Sequence, residues 1–329
     1  MVDLTVKEDF SLPLTSARLR RTYRTEQMFK NLTLASALLV AVMFMGIIWS
    51  LFDGAWPAIQ AFGLDFFFTQ AWNPVTERFG ALAPIYGTLV TSAIAMLIAV
   101  PIGIGIAIFL TELCPRGLRR PIGVAVELLA GIPSIIYGIW GLFVLAPILQ
   151  QGFMPPVIAA FEGVPVLSSL FAGPPYGIGI FTAGLILAIM TLPFVAAITR
   201  DVFETVPPVL KEAAYGLGAT PWEVQWKVVL PYARGGVVGG VMLALGRALG
   251  ETMAVTFVIG NAHRISTSLF APGTTISAAI ANEFTEAVGE IYTASLVQLG
   301  LILFFVTFVV LATAQYMLYR LDTRAGGRT

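Results

Sequence analysis

Residues Glu212 to Pro231 read EAAYGLGATPWEVQWKVVLP, a polar stretch set between two long apolar runs. Its spacing predicts two short helices joined by a tight turn. Glu212, Ala213 and Ala214 favour helix, and Gly218 supplies the left-handed stop at which helices commonly end. Thr220 then stands at the cap of a second helix, with Pro221 at its first position and Glu223 three residues on. In that arrangement the Thr220 and Glu223 side chains can satisfy each other's free backbone amides. Pro231 is expected to end the second helix. Two helices of about ten residues or fewer are unstable alone in water, because nucleation is costly and each turn returns few hydrogen bonds. Something must hold them.

Outward from this stretch the chain is apolar. Hydrophobic residues make up 57% of the 329 and charged residues 12%, with a mean hydropathy of +0.85. Such usage is far outside that of soluble domains and predicts an all-α, polytopic membrane protein. Six runs match the roughly 20 apolar residues that a helix needs to cross hydrocarbon. They are Leu32 to Leu51, Tyr86 to Leu110, Val124 to Leu149, Tyr176 to Thr199, Gly235 to Ile259 and Tyr292 to Leu318. The first follows a polar leader without a small-residue cleavage site after it, which predicts a retained span rather than a signal peptide. The simplest division is an arm over 1–31, a membrane domain over 32–319 with a polar loop at 200–234, and a tail over 320–329.

Basic residues set the expected orientation. Outside the spans, the leader, the second and fourth loops and the tail carry sixteen: Lys7, Arg18, Arg20, Arg21, Arg24, Lys30, Arg116, Arg119, Arg120, Arg200, Lys211, Lys227, Arg234, Arg320, Arg324 and Arg328. The first, third and fifth loops carry two, Arg78 and Arg264. Positive charge stays cytoplasmic, so both termini and the 212–231 stretch are expected on the cytoplasmic face of the plasma membrane.

The loops differ in character. The leader to Arg24 reads as a disordered or surface-lying arm. The first outer loop, Asp53 to Ala83, carries Trp56, Phe62, Phe66, Phe67, Phe68 and Trp72, suited to the interfacial belt. The third, Gln150 to Pro175, is rich in Pro and Gly and fits either a docking surface or a spacer. The fifth, His263 to Glu290, holds Asn282, Glu283 and Glu286 and is read as re-entering the membrane surface.

Several chemistries are excluded. All four lysines follow residues other than glycine, so the Gly-Lys of a P-loop is missing and the chain cannot hydrolyse ATP alone. There is no nucleophile elbow, and no paired His and carboxylate on a predicted cleft loop. One cysteine, Cys114, forms no internal disulfide or thiolate metal site, and one histidine, His263, forms no zinc motif built on two. No cofactor, metal or catalytic residue is expected. A net charge of zero argues against a nucleic-acid partner.

Charges inside the predicted spans are the candidates for function. Arg247 and Glu251 lie midway along the fifth span in GRALGETMAV, where burial costs about 2.5 to 3.5 kcal/mol each and partners are needed. Four residues apart on a continuous helix, they could pair. Two roles fit them. Arg247 could offer its fork to a tetrahedral oxyanion, with Glu251 competing so that the anion is not trapped; or the two could form a structural ion pair that never meets substrate. In the third span, Glu127 precedes LLAGIPSIIYGIWG, where Pro133 should kink the helix and Ser134 and Tyr137 can hydrogen-bond near the break. Pore-lining and packing roles fit these four equally well.

The Glu-Ala-Ala, Gly218 and Val-Val-Leu-Pro spacing resembles the EAA loop of ABC importer permeases. APIYGTLVTS, FLTEL, ELLAGIPSIIYGIWGLF, RDVFETVP and LGRALGETMAVTFVIGN are similar to the PstC-type permeases of bacterial phosphate-specific importers, and the likeness runs from about Met28 to Arg320. It implies the type I importer permease fold and an alternating-access mechanism. It also implies a heterodimer with a second, related permease, two ATPase subunits and a periplasmic phosphate-binding protein. Glu212, Ala213, Ala214, Gly218 and Pro231 would then belong to the ATPase coupling element, and Arg247 and Glu251 to the phosphate path. The rival readings are a permease for molybdate, tungstate or sulfate, a secondary anion carrier, and a regulatory scaffold.

Overall fold

The computed structural model describes the backbone of residues 16–326, with side chains over 25–316 and at Arg320. The first fifteen residues of the leader and the last three of the tail lie outside the described residues. The chain divides into two units, 1–53 and 54–329. α1 (Ser16–Phe62) begins in the first, so the leader is helical from Ser16. Its hydroxyls turn back on their own helix: Thr33 Oγ1 donates to Phe29 O at 3.0 Å and Ser36 Oγ to Leu32 O at 2.9 Å. That keeps polar groups satisfied on an apolar helix.

The second unit is helical, and its sole backbone bridge among the described residues joins Asn73 and Arg78. After α2 (Asp65–Phe68) come α3 (Leu82–Ile108), α4 (Arg116–Ala130), α5 (Ser134–Trp140), α6 (Ala146–Ile148), α7 (Met154–Phe161) and α8 (Leu167–Leu170). They are followed by α9 (Ile180–Glu204), α10 (Pro208–Gly216), α11 (Pro221–Val224), α12 (Leu230–Gly250), α13 (Met253–Val258), α14 (Ile276–Glu283) and α15 (Glu290–Gly326). Wide turns closed by an amide five residues on fuse some of these into longer rods, as where Cys114 N–H reaches Phe109 O at 2.8 Å beyond α3.

Six rods among the described residues are long and apolar enough to cross a membrane: Thr25–Phe62, Leu82–Leu113, Ser134–Phe161, Ile180–Glu204, Pro221–Gly250 and Glu290–Tyr316. The number is as expected from the sequence, but the limits of the first, third and fifth spans differ, and the third runs on to Phe161 through residues read as the start of the third loop. The first helix runs on to Phe62, because the aromatic-rich stretch after Asp53 continues it. The third begins at Ser134 rather than Val124. Gly131, Ile132 and Pro133 break the chain, with Pro133 at ψ 138°, so Val124 to Ala130 belongs to the separate helix α4. The fifth begins at Pro221 and stops at Gly250 rather than running to Ile259.

α3 and α9 form the most extensive pair. The core around them is rich in small side chains: Ala95, Ala99, Ala183 and Ala188 let backbones approach, and Ile186, Leu187, Val255 and Ile259 fill the remaining space. At one end Phe66 and Phe79 are buried against Ile276, Leu296 and Leu299. The Phe66 ring therefore packs in protein rather than in the interfacial belt. α14 also packs inside the bundle, with Ile276 to Ala279 buried and Thr275 capping its first turn.

Candidate functional site

The 212–231 stretch folds as its local chemistry dictates, with one exception. α10 ends in a left-handed stop: Gly218 has φ +85°, Gly218 N–H donates to Tyr215 O at 2.9 Å and Ala219 N–H to Ala214 O at 3.1 Å. The capping box is formed. Glu223 N–H donates to Thr220 Oγ1 at 3.3 Å, and Thr220 N–H donates to Glu223 Oε2 at 3.1 Å. The exception is Pro231, which does not end the second helix. Leu230 N–H reaches back to Gln225 O in a wide turn over Gln225–Val229, and α12 continues unbroken into the membrane. That widening relieves the clash a proline ring makes with the carbonyl four residues earlier.

What holds these short helices is the bundle. Val224 and Val229 are buried with Phe203, Val206, Ala107 and Val237, and Ala214 and Ala219 pack against that cluster. Lys211 Nζ lies 2.6 Å from Glu112 Oε1 with both side chains largely covered, tying α10 to the end of the second span. Burial first, and then the Glu112 charge, raises the Tyr215 hydroxyl above its ordinary value. Val209, Leu217, Trp222 and Trp226 of this stretch are exposed, and a hollow of about 320 Å³ is lined by Leu217, Gly218, Glu223, Val224 and Lys227. Such a patch marks an interaction surface. Glu212 and Ala213 are exposed beside it.

Arg247 and Glu251 do not pair as a continuous helix would have them. α12 ends at Gly250, and Glu251 adopts an extended ψ of 131°. Its carboxylate accepts from Ala254 N–H at 3.5 Å, turned toward the start of α13. Arg247 is exposed, and its guanidinium carbon sits 4.5 Å above the Phe194 ring of α9. The charge is thus held by an aromatic face beside an interrupted helix.

Glu127 lies on α4, outside the third span, and its carboxylate meets Arg200 Nη2 at 2.8 Å. Arg200 also holds Asp201 at 2.8 Å, so this pair fastens α4 to α9. Pro133 makes a break rather than a kink, Ser134 starts α5, and the buried Tyr137 donates to Leu129 O at 2.9 Å across the break. Tyr137 therefore satisfies one carbonyl that the break exposes.

Sequence reasoning missed Phe194, Lys211 with Glu112, and a cluster at the other end of the bundle. There Glu283 accepts from the Trp72 indole N–H and from Tyr292 OH at 2.7 Å, and faces His263 Nε2 at 2.7 Å. Trp72 stacks on His263 at 4.9 Å between ring centres. Burial alone would raise the Glu283 pKa, but the His263, Tyr292 and Trp72 hydrogen bonds outweigh it and hold the carboxyl below its usual range. Aromatic residues spaced ahead of α3, with a carboxylate at the end of α14, were the available signal. Among the described residues no three His, Cys, Asp or Glu side chains gather as a metal site would require.

Residues 99–323 match the protein family described as a binding-protein-dependent transport system inner membrane component. The phosphate transport system permease protein PstC of Mesorhizobium japonicum is 69% identical over 310 residues, covering 94% of this chain and 95% of its own length. Its counterpart of the same name in Pasteurella multocida is 56% identical over 301 residues, covering 92% and 94%. Among solved structures, a bacterial alginate ABC transporter in complex with an alginate pentasaccharide-bound periplasmic protein superposes with a TM-score of 0.59 at 19% identity, over 90% of this chain and 97% of that one. At that identity the likeness speaks for the fold, which is that of an ABC importer permease. The family match over residues 99–323 and the identity to PstC permeases across nearly the whole chain place this multi-pass membrane protein in the family of binding-protein-dependent transport system inner membrane components, among its PstC-type permeases.

Proposed function

We propose that the chain is one of two permease subunits of an ATP-driven phosphate importer in the plasma membrane, with both termini and the coupling element on the cytoplasmic side. The observation that carries this reading is the 69% identity to a phosphate permease over almost the full length of both chains. The distribution of basic residues supports the orientation. The second, related permease would complete the path, two ATPase subunits would seat α10 and α11, and a periplasmic phosphate-binding protein would deliver the anion.

The geometry suits force transmission. α10 and α11 are too short to be rigid by themselves. Anchored by Val224, Val229 and the Lys211–Glu112 pair, they move as part of the bundle, and α11 is continuous with the fifth span. Closure of the ATPase subunits on this element rocks the spans between inward-open and outward-open arrangements, a population shift biased by nucleotide. On the path, Arg247 supplies the bidentate donor that fits a tetrahedral oxyanion, and Glu251 keeps the site from holding it too tightly. Selectivity resides mainly in the binding protein.

The test is ATP-driven uptake by the whole complex in vesicles, with phosphate competing against sulfate, molybdate and tungstate. Phosphate uptake that needs the ATPase is the expected result. Sulfate uptake without phosphate uptake, or uptake that persists without the ATPase, overturns this reading.

A further inference from the structure

We infer that Phe194 is a positioning residue for the Arg247 guanidinium, holding it open to an incoming oxyanion and away from Glu251. This deepens the proposed function and rests on it for the identity of the anion.

The contact follows from a seam between α9 and α12. A Cβ added to Gly236 would come within 2.6 Å of Val202, and one added to Gly240 within 2.7 Å of Ile198. The Val202 and Ile198 side chains of α9 therefore sit directly against the α12 backbone at two glycines four residues apart, which sets the register of the pair. Continued by four on each helix, the row sets the buried Ala244 of α12 beside Phe194 of α9, and Arg247 follows three residues after Ala244, one turn further along α12. From there the guanidinium carbon of Arg247 lies over the Phe194 ring, 4.5 Å from its centre.

The alternative partner is close in sequence and of opposite charge. On an unbroken helix Glu251 would meet Arg247; here the chain breaks after Gly250 and the carboxylate turns to Ala254 N–H. Between carboxylate and ring, the ring is the weaker holder, and it grips the guanidinium through its face without taking any of the five N–H donors of the fork. An oxyanion that forms two charge-assisted hydrogen bonds exceeds it, so the arginine is yielded to substrate without an ion pair having to be broken first. A ring contact also re-forms as the anion departs.

Replacing Phe194 by mono-, di- and trifluorinated phenylalanine in the assembled complex weakens the ring's attraction for a cation while keeping its shape. Maximal phosphate uptake is expected to fall stepwise, by about tenfold across the series, the equivalent of 1.4 kcal/mol. The concentration of loaded binding protein giving half-maximal uptake stays unchanged. Phe194→Trp keeps uptake, and Phe194→Leu resembles the trifluorinated form. Uptake that is flat across the fluorinated series but lost in Phe194→Leu shows a space-filling role and overturns the inference. A complex that imports another oxyanion in place of phosphate refutes the cargo, and the series is then read with that anion. Independently of transport, the ¹⁹F resonance of 4-fluorophenylalanine at 194 should shift on Arg247→Gln; an unmoved resonance overturns the contact itself.

Discussion

His263 Nε2 lies 2.7 Å from Glu283 Oε1, while the imidazole stacks nearly parallel to Trp72, whose indole N–H donates to the other oxygen of the same carboxylate. Tyr292 completes the set from the start of α15. One carboxylate thereby ties together the segment before α3, the fifth loop, α14 and the sixth span. Glu283 lies outside the six spans.

Because its pKa is lowered from 4.5 on folding, the stability Glu283 contributes is fully present above 4.5 and is lost as pH falls through the lower folded value. Thermal unfolding of the purified protein should therefore show a Tm that declines below about pH 4.5. Glu283→Gln should lower Tm at neutral pH and flatten that acid decline. A decline of equal slope in the variant would refute the role.

Gly218 has open space where a Cβ would go, so its requirement is conformational: φ is +85°. Gly218→Asn should be tolerated better than Gly218→Val, because asparagine visits the left-handed region and β-branched residues rarely do. Gly218→Val is expected to cost about 1 to 2 kcal/mol locally and weaken ATPase capture in a pull-down, with membrane insertion intact. Equal capture by both variants would count against it.

Thr220→Ala removes one arm of the capping box, for a loss of about 1 kcal/mol at the start of α11. Amide exchange should quicken over 220–224 and leave α9 unaffected. Unchanged exchange at Glu223, whose amide donates to Thr220 Oγ1, would contradict the cap's contribution.

The Lys211–Glu112 pair is largely covered, so removing one partner leaves a charge uncompensated. Lys211→Met and Glu112→Gln should each reduce uptake while ATP hydrolysis continues. The double variant should recover part of the loss, with a coupling energy of roughly 0.5 to 3 kcal/mol in a thermodynamic cycle. Additive losses would show that the contact transmits nothing.

Arg247→Gln should abolish anion uptake or reduce it more than tenfold, with Arg247→Lys recovering part, since a lysine carries the charge without the fork. ATPase capture should be unaffected in both. Full uptake in Arg247→Gln would remove this residue from the path.

Much of the molecule was legible in the chain. Six apolar runs, the Gly218 stop and the Thr220 cap are local or compositional features; the stop and the cap formed where their residues lay, and the spans formed in the expected number but not at every expected limit. The misreadings arose where a local rule met tertiary packing. Pro231 was read as a stop, but a wide turn lets it continue into the fifth span. Glu127 was placed in a span, but Pro133 breaks the chain and leaves Glu127 on a separate helix held by Arg200. Arg247 and Glu251 were four apart on an assumed unbroken helix, and the interruption after Gly250 separates them.

Hydropathy and turn chemistry by themselves determined that the chain spans the membrane six times and presents a capped helix pair, because those forces act within a few residues. Which charges meet was decided by tertiary structure alone. Lys211 finds Glu112 ninety-nine residues away, Arg247 finds Phe194 through the register of two helices, and His263 finds Glu283 through α14. Distance along the chain gives no information about such pairs, since they are set by how closely small residues let helices approach.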